Sequence, residues 1–376
     1  MSNITVYHVL DEAEKFSEFE GGAISRWVAN IVRYDATSKV ICPDADDTWG
    51  IPAERVIRNP GLAGYRTFQR RTRHKLPWPL RSRLLRWILN PSLREVREKD
   101  VVWIHNRPDF AVALQPFLRT RNAKLVLQMH NSFLVQWKGY IMRALAADMN
   151  VFVSEFLKNE AHSKWPHLRQ CVVLYNGADD KMFFPLSERK QGETCTILFA
   201  SRLVPEKGVH IFLQAMRLLQ ERNIRAQGVV AGASAFGGSK PTPYIRELHK
   251  TAPSNVVFAG YVAGKELAQR FREADVFCCA SAWQEPFGLV NIEAMACAVP
   301  VVATRTGGIP EIFREGGGLL VDPGSAGQLA DALEKLVLNR PLREEIGAQG
   351  LAGFQKNFSW CVARKNYENL LGKLLP

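Results

Sequence analysis

The chain has 376 residues, 47% hydrophobic and 23% charged, with a formal net charge of +12. This length predicts two domains, and the composition excludes a disordered or fibrous protein. No apolar run approaches the roughly 20 residues of a membrane span, no secretory signal is expected, and the seven scattered cysteines predict reduced thiols, so we expect a cytoplasmic protein.

Short apolar runs alternate with helix-period segments along the chain. Continuous Val, Ile and Leu runs predict strands that are buried on both faces, and helices between them predict two doubly wound parallel sheets. The predicted strands are 4–10, 39–43, 101–106, 124–130, 150–154 and 172–175 in the first half, and 196–200, 228–231, 256–259, 276–280, 299–303 and 319–321 in the second.

The polar stretch 185–193 predicts the division between the two domains. We expect an N-terminal Rossmann-like domain over 1–187 and a C-terminal one over 188–357. Residues 358–376 are expected to form a helix that packs back towards the first domain. Two such sheets facing a central cleft would present the carboxyl ends of their strands to a ligand.

The positive charge is concentrated between Arg55 and Arg94, where eleven Lys or Arg residues stand without any Asp or Glu. Arg83 and Arg86 are predicted to lie opposite an apolar helical face, although Arg81 breaks the pattern. That face combines residues at helical spacing: Leu80, Leu84, Leu85 and Ile88. A basic helix at an anionic membrane has this pattern, a nucleic-acid-binding patch would look similar, and a solvated face without a partner is the third alternative.

The loop after strand 196–200 has the composition of a phosphate site. Arg202 and Lys207 supply two cations, and Gly208 allows the backbone to approach a ligand. Arginine binds two phosphate oxygens in a fork, and lysine acts as a mobile point charge. The alternative is a salt link at the helix start with Glu206.

Two carboxylates, Glu285 and Glu293, are separated by seven residues across the start of a predicted helix, 290–297. Pro286 disfavours helical geometry at Glu285, and Gly288 permits a tight turn. The free N–H groups at such a helix start form an anion site. The alternative is an ordinary buried helix with one surface Glu and one capping Glu.

Other nucleotide motifs are absent. No G-x-G-x-x-G fingerprint occurs, and the segment 232–239 resembles a P-loop but has Gly238 in place of lysine. We recognise no Asp-x-Asp metal-binding motif, so we expect no metal.

The motifs of the second half, in this order, resemble glycosyltransferase family 4, which comprises retaining enzymes with the GT-B fold. They are Arg202, Lys207, Glu285-x7-Glu293, Gly307-Gly308 and 318–321. Weaker matches are Gly21-Gly22-Ala23, Val153-Ser154-Glu155, 175–179 with Phe183, and Phe358-Ser359-Trp360. Within the family, 104–106, 124–133 and 232–246 are similar to lipopolysaccharide-core N-acetylglucosaminyltransferases and spore-coat polysaccharide glycosyltransferases.

The resemblance implies a role for each site residue. The first domain would be the acceptor side, and the second would bind the nucleotide sugar. Glu293 would bind the ribose, and Glu285 would bind the sugar hydroxyls around C3 and C4. His130 would meet the sugar near O6, although a core histidine is the alternative, and His105 is a weaker candidate. The diphosphate would lie among the remaining donors: Arg202, Lys207, Gly288, Leu289 and, from the first domain, Gly22.

We therefore expect a retaining, metal-independent hexosyltransferase that uses UDP-GlcNAc or UDP-glucose, needs no cofactor beyond this donor, and serves a cell-envelope glycan or lipopolysaccharide core. Front-face attack and double displacement both remain open. We expect no nucleic-acid partner. Contact through Arg55–Arg94 with an anionic membrane would place the enzyme at the cytoplasmic face of the inner membrane. A nucleotide-sugar epimerase or hydrolase, or a basic nucleic-acid-binding protein, is the alternative.

Overall fold

The computed structural model describes residues 4–17, 22–46, 48–72, 76–132, 137–186, 192, 194–234 and 240–375. The chain divides into two compact units, Met1–Leu174 with Arg364–Pro376, and Tyr175–Ala363. This division falls before the predicted boundary at 187–188. Most of the stretch 185–193, much of the P-loop-like segment 232–239, Gly21 and Phe133 lie outside the described residues.

The first unit contains a seven-stranded sheet in the order β3-β2-β1-β4-β5-β6-β7. Its strands are β1 Val6–Val9, β2 Ser38–Cys42, β3 Val56–Arg58, β4 Val101–His105, β5 Lys124–Met129, β6 Met149–Phe152 and β7 Cys171–Val173. Its helices are α1 Ala23–Tyr34, α2 Pro60–Thr72, α3 Trp78–Leu89, α4 Pro108–Arg119, α5 Gly139–Ala144 and α6 Glu155–Lys164.

The second unit contains a six-stranded sheet in the order β10-β9-β8-β11-β12-β13. Its strands are β8 Cys195–Ala200, β9 Ala226–Ala231, β10 Val256–Gly260, β11 Val276–Cys279, β12 Val301–Thr304 and β13 Gly318–Val321. Its helices are α7 Val209–Glu221, α8 Pro243–Thr251, α9 Gly264–Glu273, α10 Leu289–Ala296, α11 Ile309–Ile312, α12 Ala326–Leu338 and α13 Arg340–Asn357. The last helix, α14 Trp360–Leu374, begins in the second unit and belongs to the first unit from Arg364 onwards.

Every predicted strand is present, and the described ladders of both sheets are parallel. The prediction missed β3, a three-residue edge strand that is not fully buried and therefore lacks a long apolar run. In each sheet the strand order reverses once, between β1 and β4 and between β8 and β11. Ligands of doubly wound sheets bind at the carboxyl ends of the strands beside such a reversal.

The predicted orientation of α3 is wrong in part. Arg81 is only 6% exposed, because its guanidinium pairs with Asp109 and donates to the Tyr65 hydroxyl at 2.9 Å. Leu80, predicted on the apolar face, is 51% exposed. The helix buries a different set: Arg81, Leu85, Ile88 and Leu89. An ion pair inside the unit thus sets the rotation of this helix, which a periodicity of apolar residues does not show.

All seven cysteines are free thiols in the structure, and only Cys361 is exposed. In the part of the chain that the structure describes, no helix combines the length and the apolar character needed to cross a bilayer.

Candidate active site

Three loops meet at the carboxyl ends of adjacent strands in the second unit. β11 pairs with β8 on one side and with β12 on the other. The loop after β8 carries Lys207, the loop after β11 carries Glu285, and the loop after β12 carries Gly307. The Ala282 N–H donates to the Glu206 carbonyl at 2.8 Å, and the Gly308 N–H donates to the Glu285 carbonyl at 2.7 Å. The predicted second-half motifs therefore form one connected structure.

Glu285 and Lys207 form a partly buried ion pair at the centre of this structure. Lys207 Nζ lies 2.6 Å from Glu285 Oε2 and 5.4 Å from the centre of the Trp283 ring. The same oxygen accepts hydrogen bonds from Ser281 Oγ at 3.1 Å and Trp283 Nε1 at 3.0 Å. Among the described residues, all hydrogen bonds to this carboxylate go to Oε2. Oε1 is therefore the oxygen that can accept a hydrogen bond from a ligand.

Two glycines allow the loops to pack this closely. Gly208 has φ +73° and Gly307 has φ +58°, a region that favours glycine. A Cβ atom on Gly208 would collide with the Ala280 carbonyl, and one on Gly307 would collide with the backbone of Glu285. Both positions therefore combine an unusual backbone conformation with direct contact between loops.

The start of α10 lies beside Glu285. Gly288 is its N-cap with φ +96°, and in the described part of the chain no side chain caps the helix. Glu293 is buried in the second turn, in agreement with its predicted position. The sequence prediction overlooked Asn291, which is completely buried. Among the residues that the structure describes, neither of its side-chain amide atoms has a hydrogen-bond partner. Unpaired amide groups beside uncapped N–H groups favour a polar ligand.

The aromatic motifs support the same loop. The Tyr175 ring stacks on Phe287, with ring centres 5.9 Å apart, and its hydroxyl donates to Glu311 at 3.1 Å. Phe358 packs edge-on against both rings.

Arg202, in contrast, is exposed, and the structure describes no acidic side chain that pairs with it. Its guanidinium is therefore accessible to an anion.

Gly22 of the first unit is the N-cap of α1, but its N–H is already engaged. Glu14 Oε1 accepts from the Gly22 N–H and the Ser25 N–H, both at 3.1 Å, and from Ser25 Oγ at 2.8 Å. Burial raises the pKa of Glu14 despite these hydrogen bonds. The predicted phosphate approach at Gly22 would therefore require the Glu14 side chain to move.

His105 and His130 lie in a row of histidines in the first unit. His105 Nδ1 is 3.0 Å from His130 Nε2, and His105 Nε2 is 3.2 Å from Nδ1 of His8, a residue that the sequence prediction overlooked. His8 and His105 are fully buried, while His130 is partly exposed. His105 is thus a core residue, as its alternative interpretation held, and His130 is the member that a ligand can reach.

Burial keeps these histidines neutral. It lowers the pKa of His8 and of His130 to about 3, and it lowers the pKa of His105 well below the usual value, with the other two rings adding to the effect. Each ring therefore carries one proton at physiological pH and has one donor and one acceptor nitrogen.

The sequence prediction overlooked one Asp-x-Asp sequence in the first unit, Asp44-Ala45-Asp46. Asp46 pairs with Lys15 at 2.8 Å, and Asp44 Oδ1 accepts from the Ala45 N–H at 2.9 Å. Across the described ranges, no group of three His, Cys, Asp or Glu side chains is arranged to hold a metal ion.

Two family models match the chain, "Glycosyltransferase Family 4" over residues 24–181 and "Glycosyl transferases group 1" over 181–352. A GDP-mannose-dependent alpha-(1-6)-phosphatidylinositol monomannoside mannosyltransferase of Mycobacterium tuberculosis is 30% identical over 341 residues, 83% of each chain. The chain belongs to glycosyltransferase family 4. It is a glycosyltransferase, as its motifs predict, and the epimerase and nucleic-acid-binding alternatives are set aside.

Other similar proteins agree with the family. Spore coat protein SA of Bacillus subtilis is 29% identical over 72% of this chain and 77% of its own. Anabaena HepE, solved with UDP and glucose, has a TM-score of 0.74 at 18% identity, covering 98% of this chain and 100% of its own. The lipopolysaccharide outer core galactosyltransferase WaaB has a TM-score of 0.68 at 15% identity, covering 98% and 99%. The predicted GT-B fold class is confirmed.

Proposed function

We propose that this family 4 glycosyltransferase moves a hexose or N-acetylhexosamine from a UDP-sugar to a cell-envelope glycan or glycolipid, with retention and without a metal ion. The observation that carries the proposal is the partly buried Lys207–Glu285 pair beside the uncapped start of α10. This arrangement combines positive charge for a leaving diphosphate with a carboxylate for sugar hydroxyls.

The roles follow from the contacts. Departure of the diphosphate builds negative charge that cations and oriented N–H groups stabilise. We assign this task to Lys207, Arg202 and the backbone at Gly288 and Leu289. Glu285 Oε1 would accept from sugar hydroxyls, since three donors already bind Oε2. Glu293 would accept hydrogen bonds from the ribose hydroxyls, and Asn291 would contact the nucleoside or the phosphates.

A screen of nucleotide sugars for thermal stabilisation and donor hydrolysis, in EDTA, tests this proposal. UDP-glucose or UDP-GlcNAc should stabilise the chain, by about 2.7 kcal/mol at 100 times the dissociation constant, and should be cleaved. Glu293→Ala should weaken UDP binding roughly 10- to 100-fold, the typical effect of losing a charged hydrogen bond. Glu247→Ala, an exposed glutamate on α8, is the matched control.

Two results would contradict the proposal. Activity lost in EDTA and restored by Mn²⁺ would exclude the metal-independent mechanism. Unchanged UDP affinity in Glu293→Ala, measured by calorimetry, would exclude the ribose contact.

GDP-mannose is the second candidate donor, because the mycobacterial relative is named for it. Stabilisation by GDP-mannose alone would assign that donor instead.

We further propose that α2 and α3 dock on an anionic membrane that carries a lipid-linked acceptor. α3 exposes 75% of Trp87 together with Leu80 and, one turn apart on the same face, Arg83. α2 adds three exposed arginines, Arg66, Arg70 and Arg71. A Lys or Arg near an anionic surface contributes about 1 kcal/mol, and exposed Trp and Leu add shallow insertion.

Vesicle sedimentation tests the docking. We expect binding to anionic but not to neutral vesicles, weakened by salt and lost in R83E/R86E and in W87S. Arg81 stays unchanged, because it is part of the buried ion pair. K240E/K250E changes the net charge equally at exposed positions of the second unit and should still bind. Equal recovery in the supernatant with both lipids at low salt would refute docking.

A further inference from the structure

A network of charged side chains is buried in the first unit at the carboxyl ends of β1 and β4. Glu12 follows β1 in the chain, and Arg107 follows β4 as the N-cap of α4. β1 and β4 are the neighbouring strands between which the order of this sheet reverses. The two side chains therefore meet at the position where a doubly wound sheet binds its ligands.

The contacts of Arg107 lie inside the unit. Its Nε and Nη2 groups donate to the two oxygens of Asp109 at 2.9 and 2.8 Å, and Nη1 pairs with Glu12 Oε2. The guanidinium carbon lies 4.1 Å from the centre of the Phe110 ring and 5.8 Å from that of Trp137. The residue is buried. Its charge is balanced by internal carboxylates, so Arg107 does not offer a site to an anionic ligand.

The two carboxylates of this network differ in how completely they are paired. Asp109 is fully buried, and each of its oxygens accepts two hydrogen bonds. Oδ1 accepts from Arg107 Nε and from the Phe110 N–H, and Oδ2 accepts from the Nη2 groups of Arg107 and Arg81. Glu12 is also buried, but in the described part of the chain Arg107 is the only partner of its side chain, through Oε2.

Glu12 Oε1 thus accepts no hydrogen bond from any residue that the structure describes. Carboxylate oxygens of buried side chains are normally paired, because an oxygen that is removed from water without a donor is unfavourable. Asp109 follows this rule within the same network, and Glu12 departs from it at the ligand-binding end of the sheet. The free oxygen therefore indicates a hydrogen-bond donor that comes from a ligand.

We propose that Glu12 Oε1 accepts a hydrogen bond from a hydroxyl group of a neutral sugar, the acceptor of the transfer reaction. The ion pair with Arg107 orients the carboxylate, and Asp109 holds the guanidinium in place through its fork of two hydrogen bonds. A carboxylate whose cationic neighbour is already paired favours a hydroxyl and rejects an anion. The acceptor assignment rests on the proposed function, and the binding site itself belongs to the first unit alone.

Transfer to simple sugars tests the chemical class of this ligand. The donor identified by the nucleotide-sugar screen is incubated with the methyl glycosides of glucose, galactose, mannose and N-acetylglucosamine, and products are identified by mass spectrometry. We expect transfer to at least one of these glycosides. Donor cleavage without transfer to any of them would overturn the proposal and leave the proposed function standing. Failure to cleave any nucleotide sugar would refute the proposed function instead.

Glu12→Gln tests the residue. Glutamine keeps the size of the side chain and an oxygen for Arg107, but it presents an NH₂ group where the wild type presents Oε1. The KM for the methyl glycoside should rise roughly 10- to 100-fold, the typical effect of losing a charged hydrogen bond. The Kd of UDP and the rate of donor hydrolysis without a glycoside should not change. Glu95→Gln is the matched control, because Glu95 pairs with Lys39 at 3.1 Å in the same unit but is exposed.

A purely structural role of Glu12 predicts a different result. Loss of the ion pair alone would lower the melting temperature and would reduce donor hydrolysis and transfer by the same factor, with the KM for the glycoside unchanged. Glu12→Asp is the second variant, because it keeps a carboxylate beside Arg107 and shortens the side chain by one methylene group. It should fold and should also raise the KM for the glycoside. An unchanged KM in Glu12→Asp would overturn the proposal, whether or not Glu12→Gln folds.

Discussion

Replacing Lys207 by alanine is expected to lower turnover about 100- to 1000-fold, the usual effect of removing one group that stabilises a developing negative charge. The amine lies 2.6 Å from Glu285 and above the Trp283 ring, so its position is fixed before the donor binds. Glu285→Ala should lower turnover comparably, because it removes the sugar contact and leaves the lysine without its partner. Initial rates with the donor from the screen measure both effects.

The exposed pair Lys356–Glu315, at 2.8 Å in the same unit, provides the control. Surface ion pairs contribute about 0–1 kcal/mol, so Lys356→Ala should retain full activity. K207A/E285A should be little slower than either single variant, since groups that act as a unit are not additive. Turnover within tenfold of the wild type in Lys207→Ala would rule out the assigned role.

Gly307→Ala is expected to destabilise the second unit by about 2–5 kcal/mol. A left-handed conformation costs a residue with a Cβ about 1–2 kcal/mol, and overpacking adds about 1–3 kcal/mol. Here the added methyl group would collide with the backbone of Glu285. Because that backbone positions the carboxylate, the folded fraction should also lose turnover. Calorimetric unfolding and initial rates measure the two effects.

Gly324→Ala separates backbone strain from collision. Gly324 has φ +79°, but a Cβ atom there would meet nothing within 4 Å. Its substitution should therefore lower the melting temperature by only a few degrees and leave activity unchanged. Equal melting temperatures for the two variants would show that the loop at Gly307 can move to accommodate the added methyl group. The close contact at Gly307 would then not be what positions Glu285.

The sequence was sufficient to predict the features that leave a local pattern in the chain. Continuous apolar runs between helical segments predicted the strands of both sheets, because a strand that is buried on both faces has a distinctive composition. The order of Lys207, Glu285 and Glu293 predicted the family and the helix of the candidate site. The edge strand β3 and the division of the chain before Tyr175 carried no comparable signal.

Only the tertiary structure decided which side chains meet. The chain separates Lys207 from Glu285 by 78 positions, and their hydrogen bond depends on β8 and β11 being neighbours in the sheet. The sequence alone does not predict that Arg81 is buried, because its partner Asp109 is 28 positions away and pairs with it only in the folded unit. His8 and Tyr367 stand 359 positions apart. The periodicity of apolar residues predicts which face of a helix or strand is buried. These contacts depend instead on strand order, strand register and the packing of α14, which the chain as a whole determines.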